Sequence, residues 1–269
     1  MLNRALGQFF IKYPVPQKYE TIWKLAQVDF KKRYNESRLG LFWAFLNPVL
    51  QTIIYYLAFT FFLSKSREGI ENFAMFLFSA TIFWTFFREI VGRSLNIFIN
   101  KAYLIENLQF NKFNLFLSSS LVSFIGIAFN LTGYLLSSVL FSIEISFAKL
   151  MVLPLVLLAL FLIAIGCGMI VSVVNIFYRD IKHLLEFFFK FGFWTSGILF
   201  PVEKVIEVVP VFYFLNPIIG IIKNVRNILV FNQEIDYVIL SLNLVIGVIL
   251  FAIGRYLVDK NSALVLEYK

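Results

Sequence analysis

From Leu41 onward the chain is a succession of apolar runs separated by short polar breaks. A helix needs about 20 mostly apolar residues to cross the hydrocarbon core of a bilayer. Leu41–Leu63, Asn72–Val91, Phe113–Phe141, Leu150–Val174, Leu184–Phe200 and Tyr237–Val258 meet or approach that length, which predicts six transmembrane helices. The third run is long enough to tilt or to begin outside the bilayer. The fifth is short and is stopped at Pro201.

Between the fifth and sixth runs, Val202–Pro217 is apolar but broken by Glu203, Lys204, Glu207, Pro210 and the Asn216-Pro217 pair. The segment is too short for two full crossings. It reads as two short helices dipping into the outer leaflet, a re-entrant hairpin shielded by protein, or as an extracellular loop lying on the surface. Ahead of the first run, Tyr19, Ile22, Trp23, Ala26, Phe30 and Tyr34 fall on one face of a helix. Lys24, Lys31 and Lys32 lie largely away from that face. Such a helix rests in the membrane interface with its apolar face in lipid, as an anchor for the first span or as a docking or gating element. The expected organisation is a tail with an amphipathic interface helix (1–40), one membrane domain (41–258) and a short C-terminal tail (259–269).

Composition agrees with this pattern and excludes other classes. Of 269 residues, 60% are hydrophobic and 15% charged, against about 25% charged in soluble domains. A soluble enzyme, a disordered chain and a disulfide scaffold are excluded. Cys167 is the single cysteine and His183 the single histidine, which leaves no intrachain disulfide and no His-based metal site. The net charge of +8 reads as the excess of Lys and Arg on cytoplasmic loops rather than as a nucleic-acid surface. With both termini in the cytoplasm, sixteen of the 24 Lys and Arg fall inside and six outside, with Arg88 and Lys190 within spans. Met1–Lys12 has only a very short apolar stretch, so no cleaved secretion signal is expected.

The chemistry-bearing motifs of common enzymes are missing. There is no G-x-x-x-x-G-K-[ST] to cradle ATP phosphates, no H-E-x-x-H, and no aspartate cluster for Mg²⁺-diphosphate chemistry among Asp29, Asp180, Asp236 and Asp259. No carboxylate lies in the middle of a span, which argues against proton or sodium coupling. What the spans do carry is a stripe of Ser119, Ser123, Gly126, Asn130, Gly133 and Ser137 on one face of the third. Small residues let helices approach closely; the alternative is a polar wall for a hydrated substrate. Glu186 and Lys190, four apart, are positioned to pair, and Arg88 can snorkel to the interface. The largest excess is aromatic, with 34 Phe, 12 Tyr and 4 Trp. Most of these serve lipid contact and packing, while Tyr55, Tyr56, Trp84, Trp194 and Tyr213 are candidates for lining an exit path, because rings stack on the C–H faces of sugars.

Arg33-Tyr34, Ser37, Leu39-Gly40, Trp43 and Asn47-Pro48 together resemble the R-Y-x-x-S-x-L-G-x-x-W-x-x-x-N-P signature of ABC-2-type permeases that export polysaccharides. Asn175 with Arg179-Asp180 resembles that family's cytoplasmic R-D motif, and Pro201 with Asn216-Pro217 resembles its outer re-entrant hairpin. The likeness covers about residues 17–260, with Asn35 and Glu36 standing where small residues are common in the family. Among subfamilies it is most similar to the permease of O-antigen lipopolysaccharide exporters; capsule and teichoic-acid exporters share most of these features.

The resemblance implies an all-α inner-membrane subunit that is not itself an enzyme, working as a homodimer with two copies of a separate ATPase that carries the ATP and Mg²⁺. It implies a polysaccharide substrate on undecaprenyl diphosphate. Arg33 and Arg38 would meet the diphosphate, unless they serve only as positive-inside residues, and Tyr55, Tyr56, Trp84, Ser119, Ser123, Asn130, Trp194 and Tyr213 would line the path. Trp23, Phe30, Lys101, Tyr103, Glu106, Asn107, Arg179 and Asp180 would couple to the ATPase. The competing class is an integral membrane enzyme acting on lipid-linked sugars, and a third reading is the same architecture exporting a drug or small lipid.

Overall fold

The computed structural model describes residues 17–34, 40, 42–61, 70–101 and 111–261. Among them every regular element is a helix: α1 (Gln17–Tyr34), α2 (Phe42–Phe61), α3 (Phe73–Leu95), α4 (Ile97–Asn100), α5 (Phe113–Leu140), α6 (Phe147–Leu150), α7 (Leu153–Phe177), α8 (Ile181–Thr195), α9 (Val202–Val208), α10 (Phe212–Leu215), α11 (Pro217–Leu229) and α12 (Tyr237–Asn261). Four helical stretches are long and apolar enough to cross a membrane: Phe73–Leu95, Phe113–Leu140, Phe147–Phe177 and Tyr237–Asn261. Phe42–Ala58 is a shorter apolar stretch.

The core is built around α3 and α7. Helix α12 lies along α7, α3 packs between α7 and α5, α2 rests on α3 and α5, and α1 lies against α5. The α7–α12 contact is set by small residues. A Cβ on Gly166 would come within 2.6 Å of the Leu250 carbonyl carbon, and one on Gly254 within 2.8 Å of the Gly166 oxygen. Lipid tails give helices no hydrophobic reason to associate, so such close backbone approach, with its dense van der Waals contact, carries the pairing.

One sequence expectation changes and another gains detail. The apolar face of α1 meets protein at Ile22 and Ala26, which are buried, and at Phe30, which packs on Ala44 of α2 and Val122 of α5, while Trp23 is half-buried. The fifth helix is displaced toward the N-terminus. It covers Ile181–Thr195 instead of Leu184–Phe200, because the chain turns at Ser196 and Gly197 takes φ +73°, a left-handed conformation that a side chain would resist. At 15 residues it is about 22 Å long, short of the roughly 30 Å hydrocarbon core.

The segment after it holds the helix that the hydrophobic pattern left unnoticed. Val202–Pro217 does form two short helices, α9 and α10. The chain then enters α11, whose residues Ile218–Ile222 and Asn224–Leu229 are buried without a gap. Asn216 caps its start, accepting a hydrogen bond from the Ile218 N–H at 3.1 Å, and Pro217 occupies the first turn where its missing N–H costs nothing.

Candidate functional site: an aromatic and cationic cleft

A cleft of about 290 Å³ opens between α2, α3 and α8. It is lined by Gln51, Tyr55, Trp84, Arg88, Glu186, Phe189, Lys190, Phe193 and Trp194. Tyr55, Trp84 and Trp194, far apart in sequence, are thus brought together. Helical spacing does this work: Gln51 and Tyr55 are one turn apart on α2, as are Trp84 and Arg88 on α3 and Glu186 and Lys190 on α8. Tyr55 and Trp84 are joined through Phe193. Tyr55 stacks obliquely on Phe193 at 5.1 Å, and Trp84 meets Phe193 edge-on at 6.0 Å and Phe189 at 6.4 Å. Gly192 makes this possible, since a Cβ there would lie 2.9 Å from the Trp84 ring.

Charge in the cleft differs from the sequence expectation. Glu186 and Lys190 form no ion pair with each other, unlike Glu20–Lys24 and Arg255–Asp259 at the same spacing. Arg88 instead lies 5.9 Å over the Phe189 ring. The cleft therefore presents two exposed cations and one carboxylate on an aromatic wall, with the Gln51 amide donating to the Tyr55 hydroxyl at 3.1 Å. Such a surface can take a polar, sugar-like or anionic group without a fixed set of strong bonds. On the other side of Trp84 and Phe189 lies a wider groove of about 590 Å³ between α8 and the α3–α7–α12 body, lined mainly by apolar side chains such as Phe87, Cys167 and Leu250.

The remaining candidates are elsewhere. Tyr56 borders a separate hollow of about 340 Å³ with Glu71, Asn72 and Phe141. Ser119, Ser123 and Asn130 are buried on α5. The Asn130 amide donates to the carbonyls of Ala44 on α2 (3.0 Å) and Gly126 (2.8 Å), and a Cβ on Gly133 would strike the Phe45 ring. Asn130 and Gly133 thus pack toward α2, while Gly126 faces Glu89 of α3. Tyr213 is engaged with Lys223 and Asp236. Its hydroxyl donates to Asp236 at 3.0 Å and accepts from Lys223 at 3.1 Å, while Lys223 bonds Asp236 at 2.8 Å. Burial raises the Asp236 carboxyl, but the Lys223 ammonium, the Ile239 N–H and the Tyr213 hydroxyl together hold it below the ordinary carboxylate range.

Of the coupling candidates, Trp23 and Phe30 are half-buried on α1, and Arg179 and Asp180 are exposed in the turn between α7 and α8. Lys101 is bonded to Asp29 of α1. Arg33 falls in the last turn of α1, and Arg38, Tyr103, Glu106 and Asn107 lie outside the described residues.

The residue that sequence reasoning missed is Arg226. Counted there as an outside positive charge, it is 2% exposed. Its guanidinium donates to the carbonyls of Gly197, Ile198 (2.7 Å) and Phe200 (3.1 Å) and lies 3.4 Å over the Phe76 ring. The chain past α8 leaves carbonyls without helical donors, and a planar five-donor group satisfies three of them at once. Asn216 adds a bond to the Ser196 hydroxyl at 2.9 Å. The α9–α10 excursion thus leaves and returns through one fastened point. The signal in the sequence was the apolar period around Arg226, from Ile218 to Leu229.

Comparison with known proteins bears on this arrangement. Over 250 residues the chain is 24% identical to the O-antigen export system permease protein RfbA of Klebsiella pneumoniae, covering 93% of this chain and 95% of that one. A second Klebsiella pneumoniae protein of that name is 25% identical over 252 residues, at the same coverage. One from Myxococcus xanthus is 25% identical over 193 residues, covering 67% of this chain and 68% of that protein. Residues 20–230 match the family described as ABC-2 type transporter. That match takes in α2 through α11, including both walls of the cleft and the Arg226 fastening, and the chain is accordingly a multi-pass membrane protein belonging to the ABC-2 type transporter family.

Proposed function

We propose that the chain is the permease subunit of an ABC exporter that moves an undecaprenyl-diphosphate-linked polysaccharide, O-antigen in the first instance, out across the inner membrane. The observation that carries the reading is the near full-length likeness to two O-antigen export permeases, with a third alike over two thirds of the chain. Two copies of this chain form the path, and two copies of a separate ATPase supply ATP hydrolysis. Both termini are cytoplasmic. The six crossings are α2, α3, α5, α7, α8 and α12, and the α9–α10 excursion dips into the outer leaflet. The short α8 fits a crossing because the irregular Ser196–Phe200 backbone beyond it is buried and bonded to Arg226, the condition for non-helical chain at membrane depth.

In this reading the cleft is part of the glycan path. Tyr55 and Trp194 offer ring faces to successive sugars, backed by the buried rings of Trp84 and Phe193, and a polymer moves only if each contact is loose enough to release. Arg88 and Lys190 attract the anionic diphosphate at the trailing lipid end. Arg179 and Asp180, exposed at the α7–α8 turn, meet the ATPase.

The test is purification in mild detergent from the native cells, with mass spectrometry of co-purifying proteins, followed by surface polysaccharide analysis of a deletion strain. A stoichiometric P-loop ATPase and loss of surface O-polysaccharide with intracellular lipid-linked polymer are the expected results. Intact surface polymer in the deletion strain would rule out the glycan substrate, and the absence of any ATPase would return weight to a membrane enzyme.

A further inference from the structure

The end of the bundle that carries Lys101 is held by polar bonds between segments remote in sequence. Helix α3 breaks at Asn96 and resumes as α4, which Lys101 follows at once as its C-cap. Asp29 of α1 accepts from the Lys101 ammonium at 2.5 Å, across 72 residues of chain, and the two side chains are only 18% and 13% exposed. At the same bend, Asn175 near the end of α7 donates to the Leu95 carbonyl at 3.0 Å and to the Asn96 amide oxygen at 3.2 Å. That bend is therefore bonded on one side to α1 and on the other to the end of α7, three residues before the exposed Tyr178–Asp180 turn.

A charge pair withdrawn this far from water gains little net stability, because desolvation offsets the attraction. What such a pair does supply is register: it has one low-energy arrangement, and losing either partner leaves a charge poorly solvated. Helix α1 otherwise packs mainly on α5, with Phe30 set on Val122 of α5 and Ala44 of α2.

We propose that Asp29 and Lys101 are a positioning pair that locks α1 to the Leu95–Lys101 bend, so that the two move as one body when the ATPase acts on this end of the permease. The inference rests on the exporter reading for its consequence, and on the geometry alone for the lock. Neutralising either residue uncouples α1 from the bend without unfolding the bundle, and exchanging the two restores the lock with reversed polarity.

Hydrogen exchange on the isolated permease in detergent tests the lock without any partner. Lys101→Met and Asp29→Asn are expected to raise exchange in α1 by about fivefold, a coupling of ordinary size for bonded neighbours, with α7 and α12 unchanged. The double exchange of Asp29→Lys with Lys101→Asp is expected to return α1 to the wild-type rate. Unchanged α1 exchange in both single variants, or a folded double variant as loose as the singles, would overturn the proposal. In vesicles containing the permease–ATPase complex, the single variants are expected to hydrolyse ATP at near the wild-type rate while exporting about fivefold less polymer per ATP. A normal ratio together with loosened α1 would overturn the transmission role. Failure of the wild-type permease to bind an ATPase would sink the exporter reading instead, and the exchange result would still decide the lock.

Discussion

The two walls of the cleft are built from similar residues and held very differently. Helix α3 carries Phe73, Phe76, Phe78, Phe83, Trp84 and Phe86, all buried. Helix α8 carries Phe187, Phe188, Phe191 and Trp194, all exposed, and buries only Leu185 and Phe193. In water such exposure would be a serious cost; in a bilayer it is not, because lipid tails are as apolar as the side chains they meet. Aromatic content therefore says nothing about which helix is scaffold and which is a loosely held wall. Neighbours decide: α3 is enclosed by α2, α5, α7 and α11, while α8 rests lightly on α3 and α7. A fixed aromatic wall facing a lightly held one suits a path that must widen around a moving chain.

Arg226 touches both sides of that contrast, stacking on Phe76 of α3 and bonding the carbonyls just past α8. Replacing it offers the largest way to break the comparison. In Arg226→Met the three carbonyls cannot be removed along with their donor, so they stay buried and unsatisfied at about 1–3 kcal/mol each. The expected loss is about 3 kcal/mol or more, read as a large drop in the thermal midpoint of the detergent-purified protein. Arg226→Lys is expected to recover only part of it, since an ammonium lacks the planar fork that reaches all three acceptors. A midpoint within error of wild type for Arg226→Met would mean that the α8 end is fastened by other groups.

A paired substitution sharpens the comparison at smaller scale. Trp84 is 4% exposed and touches Phe87, Phe189 and Phe193, whereas Trp194 is 56% exposed. Trp84→Ala is expected to cost about 3 kcal/mol through the cavity it leaves, and Trp194→Ala about 0.5 kcal/mol or less. Both are expected to lower export in a surface-polymer assay, Trp194→Ala by removing an exposed ring and Trp84→Ala by removing the buried ring that backs Phe189 and Phe193. Equal loss of stability in the two variants would show that α8 is packed as tightly as α3 in the native assembly, and the distinction between the walls would fall.

How much of this was legible beforehand follows from which forces leave a trace in sequence. Long apolar runs are one such trace, so α3, α5, α7 and α12 stand close to their expected bounds. The likeness carried by Arg33-Tyr34 through Asn47-Pro48 pointed to the family that residues 20–230 match. Convergence is another matter. Tyr55, Trp84 and Trp194 were candidates on position alone, and only the folded chain sets them around one cleft while sending Tyr56 and Tyr213 elsewhere. Charge misled most. Counting Lys and Arg by side treats Arg226 and Lys223 alike, yet one is sealed among backbone carbonyls and the other faces a carboxylate. The bond of Lys101 to Asp29 within the chain left no trace either, since no spacing rule predicts a bond across 72 residues.

Lys223 also supplies the smallest test, because its pairing with Asp236 is partly exposed, at 27% for each side chain. Asp236 is held below its ordinary range in the folded chain, and Lys223 above its own: burial lowers the ammonium, but bonds to Asp236 and Tyr213 outweigh it. A carboxyl with a depressed folded value contributes stability above its unfolded value of about 3.9 and loses it as pH falls through the folded one. An ammonium with a raised folded value contributes below its unfolded value of about 10.4 and loses it as pH rises through the folded one. Between these limits the pair is at full strength, so the thermal midpoint is expected to be flat near neutrality and to fall below about pH 4. Asp236→Asn isolates the charge, since an amide oxygen can still accept the Ile239 N–H that caps α12. The variant is expected to lose no more than about 1 kcal/mol at neutral pH, as partly exposed pairs do, and to have a shallower acid limb. Acid limbs of equal slope in the two proteins would mean that the Tyr213–Lys223–Asp236 cluster holds the α10–α12 corner by its hydrogen bonds and not by its charge.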